Sequence, residues 1–224
     1  MRRIKDGCNI SIRGGKMKNF SLCSNDQEWF VLTQLNFKLD GFFVDVGAND
    51  GVYHSNTFLL EKEYNWKGIL ADPAKIWQPM LKANRKNFIE TDYIWKTTGD
   101  TLIFNEIVDY STIDKYMNSD QHAEIRRELK KQEGKRYKVI TLSLGDLLKK
   151  YNAPSTIDYL SIDTEGSEYE ILKAFNFTKY KFNIITCEHN HTPNREKIYE
   201  LLVKNGYKRK SIEKSKQDDW YIKQ

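Results

Sequence analysis

The segment that most limits the possible folds of this chain is an apolar run followed by a polar turn that contains glycines. Residues 42–51 read FFVDVGANDG. Gly47 can adopt a positive φ, and Gly51 lets a ligand approach the backbone closely. This order is typical of the first strand and turn of an open α/β sheet, where ligands bind at the carboxyl ends of the strands. We therefore predict a nucleoside-binding turn, followed by a helix that starts within residues 52–60.

The spacing of this turn, Asp-x-Gly-x-x-x-Gly, differs from the three-glycine fingerprint of dinucleotide sites. Asp45 stands where the first glycine of that fingerprint would be, and its carboxylate would repel a pyrophosphate. A cofactor with a cationic end suits Asp45 better.

Short apolar runs alternate with helical patterns along the chain, which is typical of a mainly parallel sheet with helices on both faces. We predict strands at 42–46, 68–71, 92–95 with 101–105, 157–162 and 182–187, and a terminal antiparallel hairpin from 207–212 and 220–222. We predict helices at 26–35, 55–63, 75–86, 120–132, 143–151, 167–174 and 195–205. The chain is expected to form one domain, 1–224, with an N-terminal extension over 1–23 and an insertion over 107–138 that covers the site.

Composition limits the function classes. No stretch is apolar enough to span a membrane, and the basic N-terminus lacks an apolar core of signal-peptide length, so we expect a cytoplasmic protein. Cys8, Cys23 and Cys187 are too few and too widely spaced for a disulfide framework or a cysteine zinc site. The net charge of +5 is a modest excess, which solvated helix faces explain as well as an anionic partner does.

Acidic residues follow three of the predicted strands. Asp72, before Pro73, is either a ribose ligand or an ordinary turn aspartate, and together with Asp45 it favours ribose. Asp163 and Glu165 should face whatever lies beside the cofactor. Glu168 is better explained as an acid at a helix N-terminus.

The strand at 182–187 leads into Glu188, His189 and, two residues on, His191. His189 could take a proton from a hydroxyl, or Asp163, Glu188 and His189 could hold a divalent metal. Oxygen-rich ligands would suit Mg²⁺ or Mn²⁺, and the spacing matches no zinc motif. Between these alternatives we favour metal-free chemistry. His191 reads as a loop residue, and His54 and His122 as helix residues that face solvent or the insertion.

These stretches occur in the order FFVDVGANDG, SNTFLLEKEYNWKGILADP, ANR, VITLSLGDLL, IDYLSIDTEGSEYEIL, EH and LLVKNGY. With them the chain closely resembles the FkbM family of S-adenosylmethionine-dependent methyltransferases, from about residue 24 to residue 207. The resemblance implies a class I methyltransferase fold, a Rossmann-like three-layer sandwich whose seven strands have the order 3-2-1-4-5-7-6. The terminal hairpin fits the antiparallel edge of that sheet.

The resemblance also implies residue roles. Around the methionine half of the cofactor it places Asp45, Gly47, Asn49 and Gly51, with Asn56 nearby, and it places Asp72 on the ribose, where a glutamate is more usual in the family. Gln27 either closes over the cofactor or belongs to an ordinary polar helix start. Asp163 and His189 are expected near the acceptor oxygen, with Glu165 and Glu188 holding the acceptor or orienting the base. The candidates for the adenine contact are Thr97, Thr98 and Asp100.

The function that the resemblance implies is O-methylation of a sugar hydroxyl, on a glycan or a nucleotide-linked sugar. Acceptor contacts are expected from Tyr110, Ser111, Thr112, Tyr116, His122 and Arg126 of the insertion. The alternatives are N-methylation of an amino sugar or phosphoramidate-type group, methylation of a nucleic acid bound by the basic tail, and nucleotide binding without catalysis. The acids after the 157–162 strand would repel a phosphate backbone, which argues against nucleic acid. The sequence gives no oligomeric state.

Overall fold

The computed structural model describes residues 26–210 and 216–224, so the predicted N-terminal extension, with Cys8 and Cys23, lies outside the described residues. The strands are β1 (Phe42–Val46), β2 (Lys67–Ala71), β3 (Phe88–Glu90), β4 (Tyr93–Trp95), β5 (Thr101–Glu106), β6 (Thr112–Ile113), β7 (Lys135–Ser143), β8 (Thr156–Ile162), β9 (Lys181–Glu188), β10 (Tyr207–Lys210) and β11 (Asp218–Lys223). The helices are α1 (Gln27–Gln34), α2 (Phe58–Tyr64), α3 (Gln78–Asn84), α4 (Ala123–Gln132), α5 (Leu144–Lys150), α6 (Glu168–Ala174) and α7 (Asn194–Lys204).

Seven strands form the main sheet in the order β3-β2-β1-β8-β9-β11-β10. The first five run parallel to one another, and β11 is antiparallel to both β9 and β10. This is the predicted order 3-2-1-4-5-7-6 with its antiparallel edge, and the predicted α/β fold is confirmed. The parallel arrangement brings the carboxyl ends of β1, β2, β8 and β9 to one edge of the sheet.

The core lies on both faces of this sheet, because successive side chains of a strand point to opposite sides. On one face Val44, Ile69 and Leu160 pack in a buried cluster with residues of α5, α6 and α7. On the other face Phe43 and Tyr159 pack with residues of α1, α2 and α3. The main sheet is therefore the middle of three layers, and strands buried on both faces read as the continuous apolar runs that the sequence shows.

A second, four-stranded sheet has the order β4-β7-β5-β6, and it corrects two expectations. The strand predicted at 92–95 belongs to this sheet, whereas the third strand of the main sheet is the three-residue β3, which was not predicted. The nine-residue β7 was also missed, since half of its side chains are exposed and charged residues fill its first positions. The predicted insertion 107–138 thus contains β6, α4 and the start of β7.

After the turn that follows β1, α2 begins at Phe58, within the residues 52–60 predicted for the helix start and three residues after the predicted helix 55–63 begins. No described helix is long and apolar enough to cross a membrane. Among the described residues Cys187 is a free thiol, buried at the end of β9.

Candidate functional site

The turn after β1 is packed tightly against the turn after β8. Gly47 has φ +92°, and a Cβ there would lie 1.7 Å from the carbonyl oxygen of Asp163. The backbone N–H of Asp163 donates to the carbonyl oxygen of Val46 over 2.9 Å. Only glycine fits at position 47, because both the positive φ and the close approach exclude a side chain.

Gly51 also has a positive φ, but its surroundings differ. A Cβ there would meet Cγ of Arg85 at 2.6 Å and Cδ1 of Leu81 at 2.7 Å, and Nη1 of Arg85 donates to the carbonyl oxygen of Gly51 over 2.9 Å. The structure therefore gives Gly51 a role in packing the turn against α3, and its ligand contact stays a prediction.

Three cavities open around the carboxyl ends of the parallel strands. The β2 cavity, with about 590 Å³ of empty space, lies between the end of β2 and the second sheet. The turn cavity, with about 330 Å³, is lined by the turn after β1. The acidic cavity, with about 940 Å³, is lined by Glu188, Asn190 and Asp218 among others. Asp163 lines all three, so this residue lies where they meet.

Asp72 forms part of the β2 cavity. Its Oδ2 accepts the backbone N–H of Asn49 and its Oδ1 that of Ala74, both over 2.8 Å. Burial is the main reason that the pKa of Asp72 is raised to about 7. Apolar walls face this carboxyl group, and the aromatic residues among them are Trp77, Tyr93 and Phe104. The cavity therefore offers a buried acid and flat apolar surfaces together.

The turn cavity presents oxygen acceptors. Asp45, 3% exposed, accepts a hydrogen bond from Oγ1 of Thr57 over 2.6 Å, and burial raises its pKa. Asn56 donates its Nδ2 to Oγ of Ser161 over 2.9 Å. The Oδ1 atoms of Asn49 and Asn56 are buried and have no hydrogen-bond partner among the described residues. Buried carbonyl oxygens of this kind are expected to meet a donor, so the cavity suits a ligand group rich in N–H.

Three carboxylates converge beside the acidic cavity. Oxygens of Asp163, Glu165 and Glu188 all lie within 4.8 Å of one another, and Asp163 is hydrogen-bonded to Glu188. Burial, and then the charges of neighbouring acids, raise the pKa values of Asp163 and Glu188 well above their usual range. Burial therefore favours the protonated form of these two groups more than it is favoured in isolated carboxylates.

The segment between β6 and β7 is anchored to this cluster through Glu165, whose φ is +58°. The guanidinium of Arg126, fully buried on α4, donates to Oε2 of Glu165 and over 2.9 Å to both carboxylate oxygens of Asp120. Nδ1 of His122 lies 3.6 Å from the same Oε2, and the nearby Glu165 carboxylate raises the pKa of His122. These contacts hold α4 over the carboxylates.

The six residues of this segment that were predicted to contact the acceptor therefore separate into two groups. Tyr110 and His122 line the acidic cavity. The other four do not line it: Ser111 lines the β2 cavity, Thr112 donates to the carbonyl oxygen of Glu165, Tyr116 is buried and Arg126 is engaged by Asp120 and Glu165. His54 lies in the turn after β1 and lines the acidic and turn cavities, so its predicted place on a helix is wrong.

His189 does not take the position that the sequence predicted. It is 3% exposed, its Nδ1 accepts the backbone N–H of His191 over 3.0 Å, and its Nε2 lies 3.8 Å from Oδ1 of Asp219. It lines none of the three cavities, and burial lowers its pKa to about 4. Because β9 continues through Glu188, consecutive side chains at its end point to opposite sides. The oxygen cluster is therefore completed by Glu165, and not by His189.

The remaining predicted residues have clear positions. Glu168 accepts the N–H groups of Thr164 and Gly166 through Oε1, in agreement with its reading as an acid at the start of α6. Gln27 lines the acidic cavity and donates to Oδ2 of Asp218 over 2.8 Å. His191 is exposed in the loop before α7.

The adenine candidates Thr97, Thr98 and Asp100 lie outside the three cavities. The hydroxyl of Thr97 donates a hydrogen bond to Asp100, and that of Thr98 donates one to Asp146. The sequence missed Trp77, Tyr93 and Phe104 as cavity walls. It also missed Asp109, which accepts from Nδ2 of Asn49 over 3.0 Å. If β3 had been recognised, the adenine contact would have been predicted among the residues that directly follow Glu90, and not at residues 97–100.

Residues 45–209 match the model of the methyltransferase FkbM domain, whereas no curated protein matches the chain. A methyltransferase FkbM from Methylobacillus flagellatus KT is similar in structure, with a TM-score of 0.50 and 11% identity over 82% of this chain. The match spans only 43% of that protein's chain, and at this identity it shows the fold alone.

Two further solved structures are more distant, and their TM-scores are too low to support an inference. A precorrin-6y C5,15-methyltransferase from Geobacter metallireducens GS-15 has a TM-score of 0.43 and 14% identity over 87% of this chain and 85% of its own. The N-terminal domain of human METTL16 in complex with SAH has a TM-score of 0.41 and 13% identity over 87% of this chain and 66% of its own. Because the family model matches residues 45–209, well over half of the sequence, this chain belongs to the FkbM methyltransferase family.

Proposed function

We propose that this chain transfers the methyl group of S-adenosylmethionine to a hydroxyl of a sugar or a related polyhydroxylated small molecule. The observation that carries the proposal is the position of Asp163, which lines all three cavities. A nucleoside in the β2 cavity, an amino-acid group in the turn cavity and an acceptor in the acidic cavity would all meet at this carboxyl group.

The residues present fit the two halves of the cofactor. The aromatic walls of the β2 cavity suit an adenine ring, and the carboxylate of Asp72 can accept from ribose hydroxyls. In the turn cavity Asp45 supplies an acid, and the Oδ1 atoms of Asn49 and Asn56 can accept from an ammonium group. When bound, S-adenosylmethionine supplies a methyl group on a positively charged sulfur.

The residues of the chain would then position the acceptor and remove its proton. Methyl transfer requires the acceptor oxygen close to the methyl group and opposite the sulfur, so a fixed orientation provides much of the acceleration. In its ionised form Asp163 can accept the hydroxyl proton, and a raised pKa makes this carboxylate a stronger base than an ordinary aspartate. Glu188 holds Asp163 by a hydrogen bond, and Arg126 holds Glu165.

The charge of the acidic cavity supports a neutral or cationic acceptor. Asp163, Glu188 and Asp218 all line it beside a lysine, Lys216, and these acids would repel a phosphate placed among them. The same charge favours the alternative function, N-methylation of an amino sugar, since these acids would attract an amine. Nucleic acid is disfavoured by the same argument.

The test uses the purified protein, S-adenosylmethionine and a panel of glycans, nucleotide-linked sugars and amino sugars, with the product identified by mass spectrometry. Cofactor binding is measured separately by calorimetry. We expect saturable cofactor binding and a mass gain of one methyl group on a hydroxyl, which disappears with Asp163→Asn. If S-adenosylmethionine does not bind, the proposed function is wrong, and a methyl group found only on amines selects the alternative.

A further inference from the structure

The carboxylates beside the acidic cavity have the geometry of a cation site. Oxygens of Asp163, Glu165 and Glu188 lie within 4.8 Å of one another, which is close enough for a single ion to contact all three. They come from two neighbouring parallel strands: Asp163 and Glu165 follow β8, and Glu188 ends β9. The tight packing of the turn after β8 against Gly47 fixes the first of these positions.

Two unpartnered oxygens give a second, independent indication. Oε2 of Glu188 and Oδ1 of Asn190 are buried and have no hydrogen-bond partner among the described residues. Both residues line the acidic cavity and are less than 7% exposed. The Nδ2 atom of Asn190 donates to Oε2 of Glu165 over 3.3 Å, which orients this amide beside the carboxylates. A neutral amide oxygen beside three carboxylate oxygens is a typical ligand set for a hard cation.

The charges of the cluster are not balanced by the described residues. Glu168 and Asp218 add to the negative field on Asp163. Arg126 faces these acids but is shared with Asp120, Lys216 lines the acidic cavity, and His122 contributes a charge only when protonated. Buried acids in such excess are stabilised either by bound protons or by a cation.

We propose that Asp163, Glu165, Glu188 and Asn190 form a binding site for one divalent cation of the Mg²⁺ or Mn²⁺ class. All four ligands are oxygen atoms, which these ions prefer over nitrogen or sulfur. His189, which the sequence suggested as a ligand, lies outside the site. A cation here would lower the pKa of an acceptor hydroxyl beside it, so turnover would depend on the ion as well as on Asp163. Only this consequence for turnover rests on the proposed function.

The experiment titrates the full chain, freed of metal with a chelator, with Mn²⁺ and follows free Mn²⁺ by electron paramagnetic resonance. We expect one Mn²⁺ per chain, displaced by Mg²⁺. Glu188→Gln should weaken the affinity at least about tenfold and Asn190→Ala severalfold. Glu124→Gln is the matched control, because it makes the same chemical change at an exposed position on α4 and should leave binding unchanged.

Circular dichroism shows whether each variant is folded, and Glu188→Gln is expected to fold because it removes a repelling charge. Three results would overturn the proposal: no saturable binding up to millimolar Mn²⁺, unchanged binding by folded Glu188→Gln, or an equal loss with Glu124→Gln. Calorimetry with S-adenosylmethionine on the same metal-free samples reports the proposed function separately. Cofactor binding without Mn²⁺ binding would refute only the cation site, and the reverse result would refute only the proposed function.

Discussion

Glu188→Gln should stabilise the metal-free protein at pH 8 and leave its stability nearly unchanged near pH 4.5. Burial and the charges of Asp163, Glu165 and Glu168 raise the pKa of Glu188 well above 4.5, its usual value. A group whose pKa is raised on folding stabilises the native state fully below its unfolded pKa, and this contribution is lost as the pH rises through the folded value. Glutamine does not ionise, so the variant keeps what the wild type loses.

The separation of the carboxylates gives the size of this effect. At 4.8 Å, the distance within which all these oxygens lie, two unit charges repel by about 3.5 kcal/mol at an effective dielectric constant of about 20. The wild type avoids part of this repulsion by retaining protons, at a cost of about 1.4 kcal/mol per unit of pKa shift. We therefore expect Glu188→Gln to gain about 1–3 kcal/mol at pH 8, or about 2–4 °C in Tm for each kcal/mol.

The assay is urea unfolding followed by tryptophan fluorescence, at pH 8 and pH 4.5, in chelator. The control is Glu124→Gln, whose exposed carboxylate lies on α4, so that the two substitutions differ in burial and not in chemistry. The reasoning is refuted if Glu188→Gln is less stable than the wild type at pH 8. It is equally refuted if the gain in unfolding free energy is the same at both pH values.

Four further outcomes follow from the site. Asp163→Asn should lower turnover about 10²–10⁴-fold while calorimetry shows unchanged S-adenosylmethionine affinity, and a smaller loss would remove its role as the base. Gly47→Ala should abolish cofactor binding and destabilise the fold, whereas Gly99→Ala, with a similar φ of +89° and open space around it, should cost only about 1–2 kcal/mol in urea unfolding. Cofactor affinity should rise from pH 6 to pH 8, because the pKa of Asp72 is about 7 and its ionised form accepts hydrogen bonds from the ribose hydroxyls. Calorimetry at several pH values measures this affinity, and Asp72→Asn should make it independent of pH over this range. Arg126→Met should cost about 3–5 kcal/mol of unfolding free energy, since it leaves Asp120 and Glu165 buried without their cation, and a loss below 1 kcal/mol would contradict the anchoring of α4.

The sequence was sufficient for the central strands of the main sheet, because they are continuous apolar runs that end in polar turns, but not for the short edge strand β3. β1 and β8 were predicted within one residue, and Asp163 emerged as the acid that follows β8. The strands of the second sheet were harder to predict from the sequence. β7 begins with Lys135 and Arg136 and exposes alternate side chains to water, so it carries little of the apolar signal that identifies a buried strand.

The orientation of the side chains at the end of β9 could not be predicted from the sequence, for a different reason. Glu188 and His189 are adjacent, and either could face the acidic cavity. Which one does so depends on how far the strand continues, and strand ends cannot be placed to one residue from sequence. The pairing of Glu188 with Asp218 on β11 extends β9 by that residue and directs His189 toward Asp219. The role of Asn190 depends on the same turn.

The position of Asp163 couples the turn cavity mechanically to the carboxyl group that faces the acceptor. Its N–H is hydrogen-bonded to Val46 and its carbonyl oxygen occupies the space that a side chain at Gly47 would fill, so the acid and the turn cavity share one rigid piece of backbone. A ligand that orders the turn after β1 would therefore also fix the carboxyl group that faces the acceptor. Glu188, by contrast, reaches the cluster from β9 and is not tied to that turn. Substitutions in the turn should consequently alter both cofactor affinity and turnover, whereas changes at Glu188 should alter turnover and cation binding and leave cofactor affinity intact.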